Sequence, residues 1–223
     1  MGNPNEQMFF ATSLFLFFTL LRKAHVAQKG GVSTQQTINR QDVRLTADDK
    51  FLLTVTHTKT VQFQQRVLQW ILPRLQDSTD VCCPTRQLAL YLQRTQTALP
   101  SDQPLFQSLG ADGKYRPLRY YAFIRIFKAH IARAGLDPDH FAGHSFRRGG
   151  ATFAMDAGLS DTLIMAMGDW SSDAWLKYVA ATQRLRVCAA ELLEQAVASA
   201  TAEPPLYDLD DLSNSEALPA ALT

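Results

Sequence analysis

The chain has 223 residues, 46% hydrophobic and 19% charged, enough apolar material for one packed domain with a tail and too much for a disordered polypeptide. Its three cysteines, the adjacent Cys82 and Cys83 and the distant Cys188, make neither a disulfide framework nor a CxxC metal pair, which points to reduced thiols in an intracellular protein. The formal charge of +1 disfavours a nucleic-acid partner only until its distribution is read: Glu203, Asp208, Asp210, Asp211 and Glu216 place −5 on the tail and leave +6 on the rest.

The run Met8–Leu21 is apolar but covers only ~21 Å, short of the ~30 Å hydrocarbon core of a bilayer, and Thr12, Ser13 and Thr19 interrupt it. The preceding MGNPNEQ lacks the positive charge of a secretory leader. It begins Met-Gly, but Glu6 stands where myristoylation wants Ser or Thr. The pattern predicts a buried helix over Met8–Arg22, apolar nearly all round and closed by Arg22-Lys23, with Gly30-Gly31 as a breaker. Three short β-like runs follow, Asp42–Leu45, Phe51–His57 and Val61–Leu72, joined by Ala47–Lys50 and Thr58-Lys59-Thr60. They predict a small antiparallel meander with Lys59 at or beside a hairpin tip.

Pro84 suits the first turn of a helix to about Gln96. A polar loop then leads through Pro104–Phe106 to the turn Ala111–Lys114. Helical spacing resumes over Leu118–Ala134, with Gly135 as its stop. Short helices are predicted over His144–Ala157, Ser160–Met167 and Ser172–Ala180, and a longer one over Thr182–Ala200 with Leu185, Cys188, Leu192, Leu193 and Val197 along one stripe. The Pro- and acid-rich remainder reads as disordered. The expected fold is mainly α with a small antiparallel β-meander, a domain over 1–201 and an acidic tail over 202–223.

Three features bear on chemistry. His144-Ser145-Phe146-Arg147 places a His and an Arg on one helical face, a pairing suited to a phosphate: Arg offers a planar fork of donors, and His can donate or shuttle a proton near neutral pH. Alone, such a pair is also an ordinary surface pair. Met167-Gly168-Asp169-Trp170-Ser171-Ser172 precedes Tyr178. A phenol with an ordinary pKa near ~10 is a poor nucleophile unless cations stabilise its phenolate and the group it attacks, and a lone Tyr on such a helix is equally a core-edge residue. The third feature is a pair of isolated bases, Arg22 after the buried helix and Lys59 at the hairpin tip, which a backbone cap and a solvated turn would also explain.

Taken in order, Arg22, Lys59, His144-x-x-Arg147, a Gly-containing turn and Tyr178 resemble the active-site series of tyrosine recombinases and phage-type integrases. GHSFRRGGATFA, MGDWSSDAWLKY and HTKTVQF are similar, more narrowly, to recombinases of eukaryotic Crypton- and DIRS-type mobile elements. The resemblance covers about Phe9 to Ala200. It implies a tyrosine-recombinase catalytic fold and DNA strand exchange without metal or other cofactor. Arg22 and Arg147 would clamp the scissile phosphate, His144 would assist in proton transfer, Lys59 would protonate the leaving 5′-oxygen, and Tyr178 would form a 3′-phosphotyrosyl bond. Duplex DNA would be held by Arg22, Arg147, Arg148, Lys114 and Arg119.

The resemblance also implies nuclear localisation, no membrane association, and homo-oligomers on DNA through the C-terminal helix. Two positions depart from the family pattern. His25 stands where many members carry Glu or Asp, and the sixth catalytic position falls on Asp169 with Trp170 beside it. Trp170 is the favoured candidate, because an indole N–H donates to a phosphate oxygen and a carboxylate does not. Only about 20 residues precede Arg22, so the expectation is a catalytic half without the N-terminal clamp domain. A catalytically silent DNA-binding module and a topoisomerase-like nick-and-reseal activity are the competing readings.

Overall fold

In the computed structural model, which describes residues 3–28, 30, 34, 36–57, 67–77, 79–179 and 183–202, the first helix begins ahead of the apolar run. Asn3 accepts from the N–H of Asn5 and Pro4 takes the first turn, so α1 spans Pro4–Thr19. It ends at Leu20 in the left-handed conformation (φ 54°). Arg22 therefore lies beyond the helix, in the extended residue that starts a one-turn 3₁₀ helix, Lys23–His25. The expected helix over Met8–Arg22 is shifted towards the N-terminus. Its apolar run was legible, while the polar cap that starts it lay outside that run.

The chain divides into two compact units, Met1–Ala180 and Ala181–Thr223. Within the first, β1 (Val43–Leu45), β2 (Phe51–Val55) and β3 (Leu68–Leu72) form the antiparallel meander in the order β1-β2-β3, with Leu53 opposite both Val43 and Trp70. The tip expected at Thr58-Lys59-Thr60, Lys59 included, and residues 61–66 of the third run lie outside the described residues. A second hairpin, β4 (Gln107–Leu109) with β5 (Tyr115–Pro117), flanks the Ala111–Lys114 turn. Strands of three residues, one ending in Pro117, are too short to register as alternation.

The helices of this unit are α2 (Pro84–Thr95), α3 (Tyr120–Arg133), α4 (Ser145–Asp156) and α5 (Asp161–Gly168). Each falls within two residues of its expected bounds at either end. The segment expected as a helix over Ser172–Ala180 is instead a 3₁₀ helix, Asp173–Tyr178. The described residues are mainly helical with two small antiparallel sheets among them.

α1 is the axis of the core, packed by α2, α3, α4, β3 and β4. Phe15, Leu16, Tyr91, Phe106 and Phe123 are fully buried around it, with Phe15 edge-on to Phe106 at 5.4 Å and Tyr91 5.5 Å from the same ring. A helix apolar on all sides needs such an enclosure. α4 crosses α1 closely: a Cβ on Gly150 would stand 2.1 Å from the Phe17 carbonyl oxygen and 2.5 Å from Leu20 Cδ2. Leu20, Ala151, Ala154, Ile164 and Trp175 form a second buried cluster, and Trp175 anchors the segment ending at Tyr178 against α4.

In the second unit α6 spans Gln183–Ala202, with Val187, Leu192, Leu193 and Val197 exposed. The expected acidic tail lies outside the described residues from 203 onward. Among the described residues no helix is long and apolar enough to cross a membrane.

Candidate active site

Arg147 occupies the first turn of α4 and points inward, only 2% exposed. Its guanidinium joins the ends of two helices. Nη1 donates to the carbonyl of Leu20 at the C-terminus of α1, and Nη2 donates to the carbonyl of Gly168 at the C-terminus of α5 (2.6 Å). Terminal helical carbonyls lack intrahelical partners and carry the negative end of the helix dipole, so they suit a buried cation. Both helices turn these carbonyls inward through non-glycine residues in the left-handed region, Leu20 and Asp169 (φ 50°). For Leu that conformation costs about 1–2 kcal/mol, and it persists where the surroundings impose it.

The Trp170 ring lies against the Arg147 guanidinium, 3.8 Å from carbon to centroid, a cation–π contact. From the sheet side Trp70 donates its indole N–H to the carbonyl of Met167 (2.6 Å), fixing the end of α5 on which both Gly168 and Trp170 depend. Trp170 thus supports the central cation through its π face.

Around Arg147 stand further bases. His144 is exposed at the N-cap of α4. Partial desolvation, followed by the charges of Lys23, Arg147 and Arg22, lowers its pKa below the ordinary imidazole value. Gly143 lets its loop close on this cluster: a Cβ there would meet Lys23 Cδ at 2.7 Å and the Tyr120 ring at 2.9 Å. Lys23 holds its ammonium 4.0 Å from the Tyr120 ring centroid.

His25, one turn on, is 1% exposed and faces the carbonyl of Gln36 through Nδ1 at 2.9 Å, so the proton is assigned to Nδ1 and Nε2 is left as an acceptor. Burial, reinforced by Arg22 and Arg147, lowers its pKa to about 4, against opposing contributions from the Gln36 carbonyl and Asp169. The imidazole is neutral at pH 7. Where an acid would neutralise the site, His25 leaves its positive charge intact.

Arg22, His144, Arg147 and Trp170 are thus brought together. Arg119 is exposed, and its backbone pairs with Gln28, three residues after His25, as the Gln28 N–H donates to the Leu118 carbonyl and the Gln28 carbonyl accepts from the Tyr120 N–H. Arg148 is exposed on α4, beside a shallow groove with Ser145 and Thr152. Lys114 is not part of the group. Its hairpin is tied to the far end of α1, where Asn5 bonds both the N–H and the carbonyl of Leu109, ~22 Å of helix from Leu20. Arg116, in the same hairpin, is forked onto Asp112 at 2.5 and 2.8 Å. Lys59 and the side chain of Tyr178 lie outside the described residues; the backbone of Tyr178 ends the 3₁₀ helix that Trp175 anchors. Among the described residues no three His, Cys, Asp or Glu are grouped to hold a metal ion.

The sequence matches no protein-family model and no curated protein. Solved structures match it in fold. One is the XerH site-specific recombinase bound to its difH substrate in a pre-cleavage complex, with TM-score 0.55 and 16% identity over 85% of this chain and 47% of that one. The fold is that of a tyrosine recombinase catalytic domain. The Tn1549 transposon integrase (residues 82–397) in complex with circular intermediate DNA is also similar, with TM-score 0.48 and 15% identity over 85% of this chain and 59% of that one. The chain spans about half the length of these structures.

Sequence reasoning missed Lys23 beside the cluster, and it met His25 and Asp169 only as departures from the family pattern, Asp169 as the alternative to Trp170. Their signal was adjacency: Lys23 follows Arg22, His25 sits where a family acid was expected, and Asp169 stands beside Trp170. What brings them together is the pair of left-handed turns at Leu20 and Asp169, which no residue preference announces.

Proposed function

We propose that this chain breaks and rejoins DNA as the catalytic half of a tyrosine recombinase, through a 3′-phosphotyrosyl intermediate. The observation that supports the reading is the gathering of Arg22, Lys23 and Arg147 around His144 in a recombinase fold. A phosphate under attack gathers negative charge, and cations fixed in place before the reaction stabilise it without reorganisation. In this reading Arg22 and Arg147 hold the non-bridging oxygens, and His144, neutral at rest, accepts the phenol proton of Tyr178 as Tyr178 forms the new P–O bond. The bond to the 5′-oxygen breaks at the same time, and that oxygen leaves with a proton from Lys59. The bond energy stays in the phosphotyrosine, so a second 5′-hydroxyl reverses the step.

The motif strings support a kinship with Crypton- and DIRS-type recombinases, and with it a nuclear site of action. The exposed apolar residues of α6 support its passing to a second copy on DNA. Changing Leu192 and Leu193 to Asp is expected to abolish the higher oligomers while leaving the monomer folded.

The test is a nicked suicide substrate with separation under denaturing conditions. Wild-type protein, supplemented with a clamp domain where needed, is expected to form a covalent DNA adduct. Tyr178→Phe should bind DNA equally and form none. Lys59→Ala should fail on ordinary DNA and recover with a 5′-bridging phosphorothiolate, whose sulfur leaves without a proton. A second reading, a binding module without turnover, is favoured by the two protein carbonyls that Arg147 already holds. Wild-type protein that binds but never forms the adduct would establish it.

A further inference from the structure

The last turn of α5 has a donor for each of its four carbonyls. Those of Met165 and Ala166 accept from the backbone N–H groups of Trp170 and Asp169. The other two are held by side chains from elsewhere in the fold: Gly168 by Arg147 Nη2 (2.6 Å) and Met167 by the indole N–H of Trp70 (2.6 Å). The final carbonyls of a helix have no intrahelical partners, so each side-chain donor fixes one point of the terminus. Trp70 is suited to that task. It is buried, and its backbone sits opposite Leu53 inside the β2–β3 ladder, so the indole is presented from a strand that is itself held. Trp170 folds back over the same turn: a Cβ on Gly168 would overlap its ring, and that ring lies 3.8 Å from the Arg147 guanidinium. One short stretch, residues 167–170, thus carries both a carbonyl and a ring that bear on Arg147, and Trp70 ties it to the sheet.

We propose that Trp70 is a positioning residue for DNA cleavage, acting through the Met167 carbonyl to hold Arg147 in place. The inference rests on the recombinase reading, in which Arg147 grips the scissile phosphate. Without the indole N–H, the Met167 carbonyl loses its donor and regains a partner by turning towards water. Gly168 is the next residue, so its carbonyl turns too, and the guanidinium loses one of its two helix-end anchors. A donor fork that must meet a phosphate in one orientation is sensitive to such a shift, since ~1 Å of misplacement costs on the order of a hundredfold in rate.

Trp70→Phe keeps an aromatic ring and removes the N–H. Two measurements on the whole chain test it, with the clamp domain added where needed. The first is the rate of covalent adduct formation on the nicked duplex at saturating DNA, alongside duplex affinity by fluorescence anisotropy. The second is the rate at which phenylglyoxal modifies Arg147, read by peptide mass spectrometry against the exposed Arg148. The expected result is adduct formation slowed by about tenfold or more, with duplex affinity nearly unchanged because no charge is lost. Arg147 should be modified several-fold faster, as its local hold loosens, and Arg148 at the wild-type rate. Leu88→Val, a core trim on α2 in the other buried cluster, is the control for lost stability and should move neither reading.

If Trp70→Phe does not fold, replacing that one indole by benzothiophene, which has the same shape and a sulfur in place of the N–H, carries the test. Wild-type adduct rate and Arg147 protection in the Trp70 variant would overturn the inference and leave the recombinase reading standing. So would a control that moves both readings as far, or faster modification of Arg147 at an unchanged adduct rate. A wild type that forms no adduct removes the recombinase reading, and phenylglyoxal then decides the hold on Arg147 by itself: faster modification upholds it and equal protection overturns it.

Discussion

Arg147 holds the protein together at the point where it would hold the substrate. Its planar fork reaches the α1 and α5 carbonyls at once, while its face rests on Trp170. Lysine keeps the charge and loses the fork and the stack. Arg147→Lys is therefore expected to lose about 2–3 kcal/mol of stability, a fall in melting temperature on the order of 5–10 °C. DNA affinity should fall with it. A variant melting with the wild type would show that the two carbonyls do not need the fork.

His25 gives the site a pH limit. Its folded pKa, about 4, lies below the ~6.5 of an unfolded imidazole, so between these values the unfolded chain binds the extra proton. The stability from burying a neutral ring is complete above pH ~6.5 and is lost as pH falls towards 4, up to ~3 kcal/mol over the window. His25→Gln should flatten the melting temperature between pH 6.5 and 4 relative to wild type, leaving the carboxylate-driven loss below pH 4 in place. An unchanged slope would remove His25 from the explanation.

At the scale of elements, the decisive contact is the crossing of α4 over α1. Gly149→Ala and Gly150→Ala make the same chemical change one residue apart, and each gains helix propensity of roughly 0.5–1 kcal/mol. At Gly149 the added methyl would meet the Phe17 ring at 3.3 Å, a side chain able to shift. At Gly150 it would meet the backbone of α1 at 2.1 Å. The expectation is a near-neutral Gly149→Ala and a Gly150→Ala destabilised by about 1–3 kcal/mol, with a larger loss of DNA affinity because Leu20 and its carbonyl are displaced. Chemical denaturation of the two variants checks this, and equal stabilities would mean the crossing is looser than described.

The same elements mark how far the sequence could be read. α2, α3, α4 and α5 were legible because periodicity, Pro84, the Ser160 cap and Gly135 are local signals. The start of α1 was missed because its cap precedes the apolar run, and β4–β5 because three-residue strands carry too little pattern. The roles of His144 and Arg147 were read from the resemblance alone, while their nearness was legible from their spacing. Their unequal burial was not, because it depends on where α1 and α5 end. Lys114, expected from its charge to contact DNA, lies on a hairpin tied to Asn5 at the start of α1, away from the cluster.

At the scale of the whole molecule, charge is divided along the chain: +6 before residue 203 and −5 from it onward. If the acidic segment competes with DNA for the basic body, removing residues 203–223 should tighten non-specific duplex binding at low salt and steepen its salt dependence. Affinities that coincide across a salt titration would deny the segment that role. The recombinase fold covers about half the length of the structure it resembles, and the proposed reaction would draw its cations from the Arg22–Arg147 cluster and its nucleophile from the segment after α5.

The most direct test of that claim is to map the adduct itself. The protein is trapped on a nicked duplex and digested, and the DNA-linked peptide is sequenced by mass spectrometry. The account predicts one modified peptide, with the 3′-phosphate of the broken strand esterified to Tyr178. An adduct on any other residue, or one still formed by Tyr178→Phe, would contradict it.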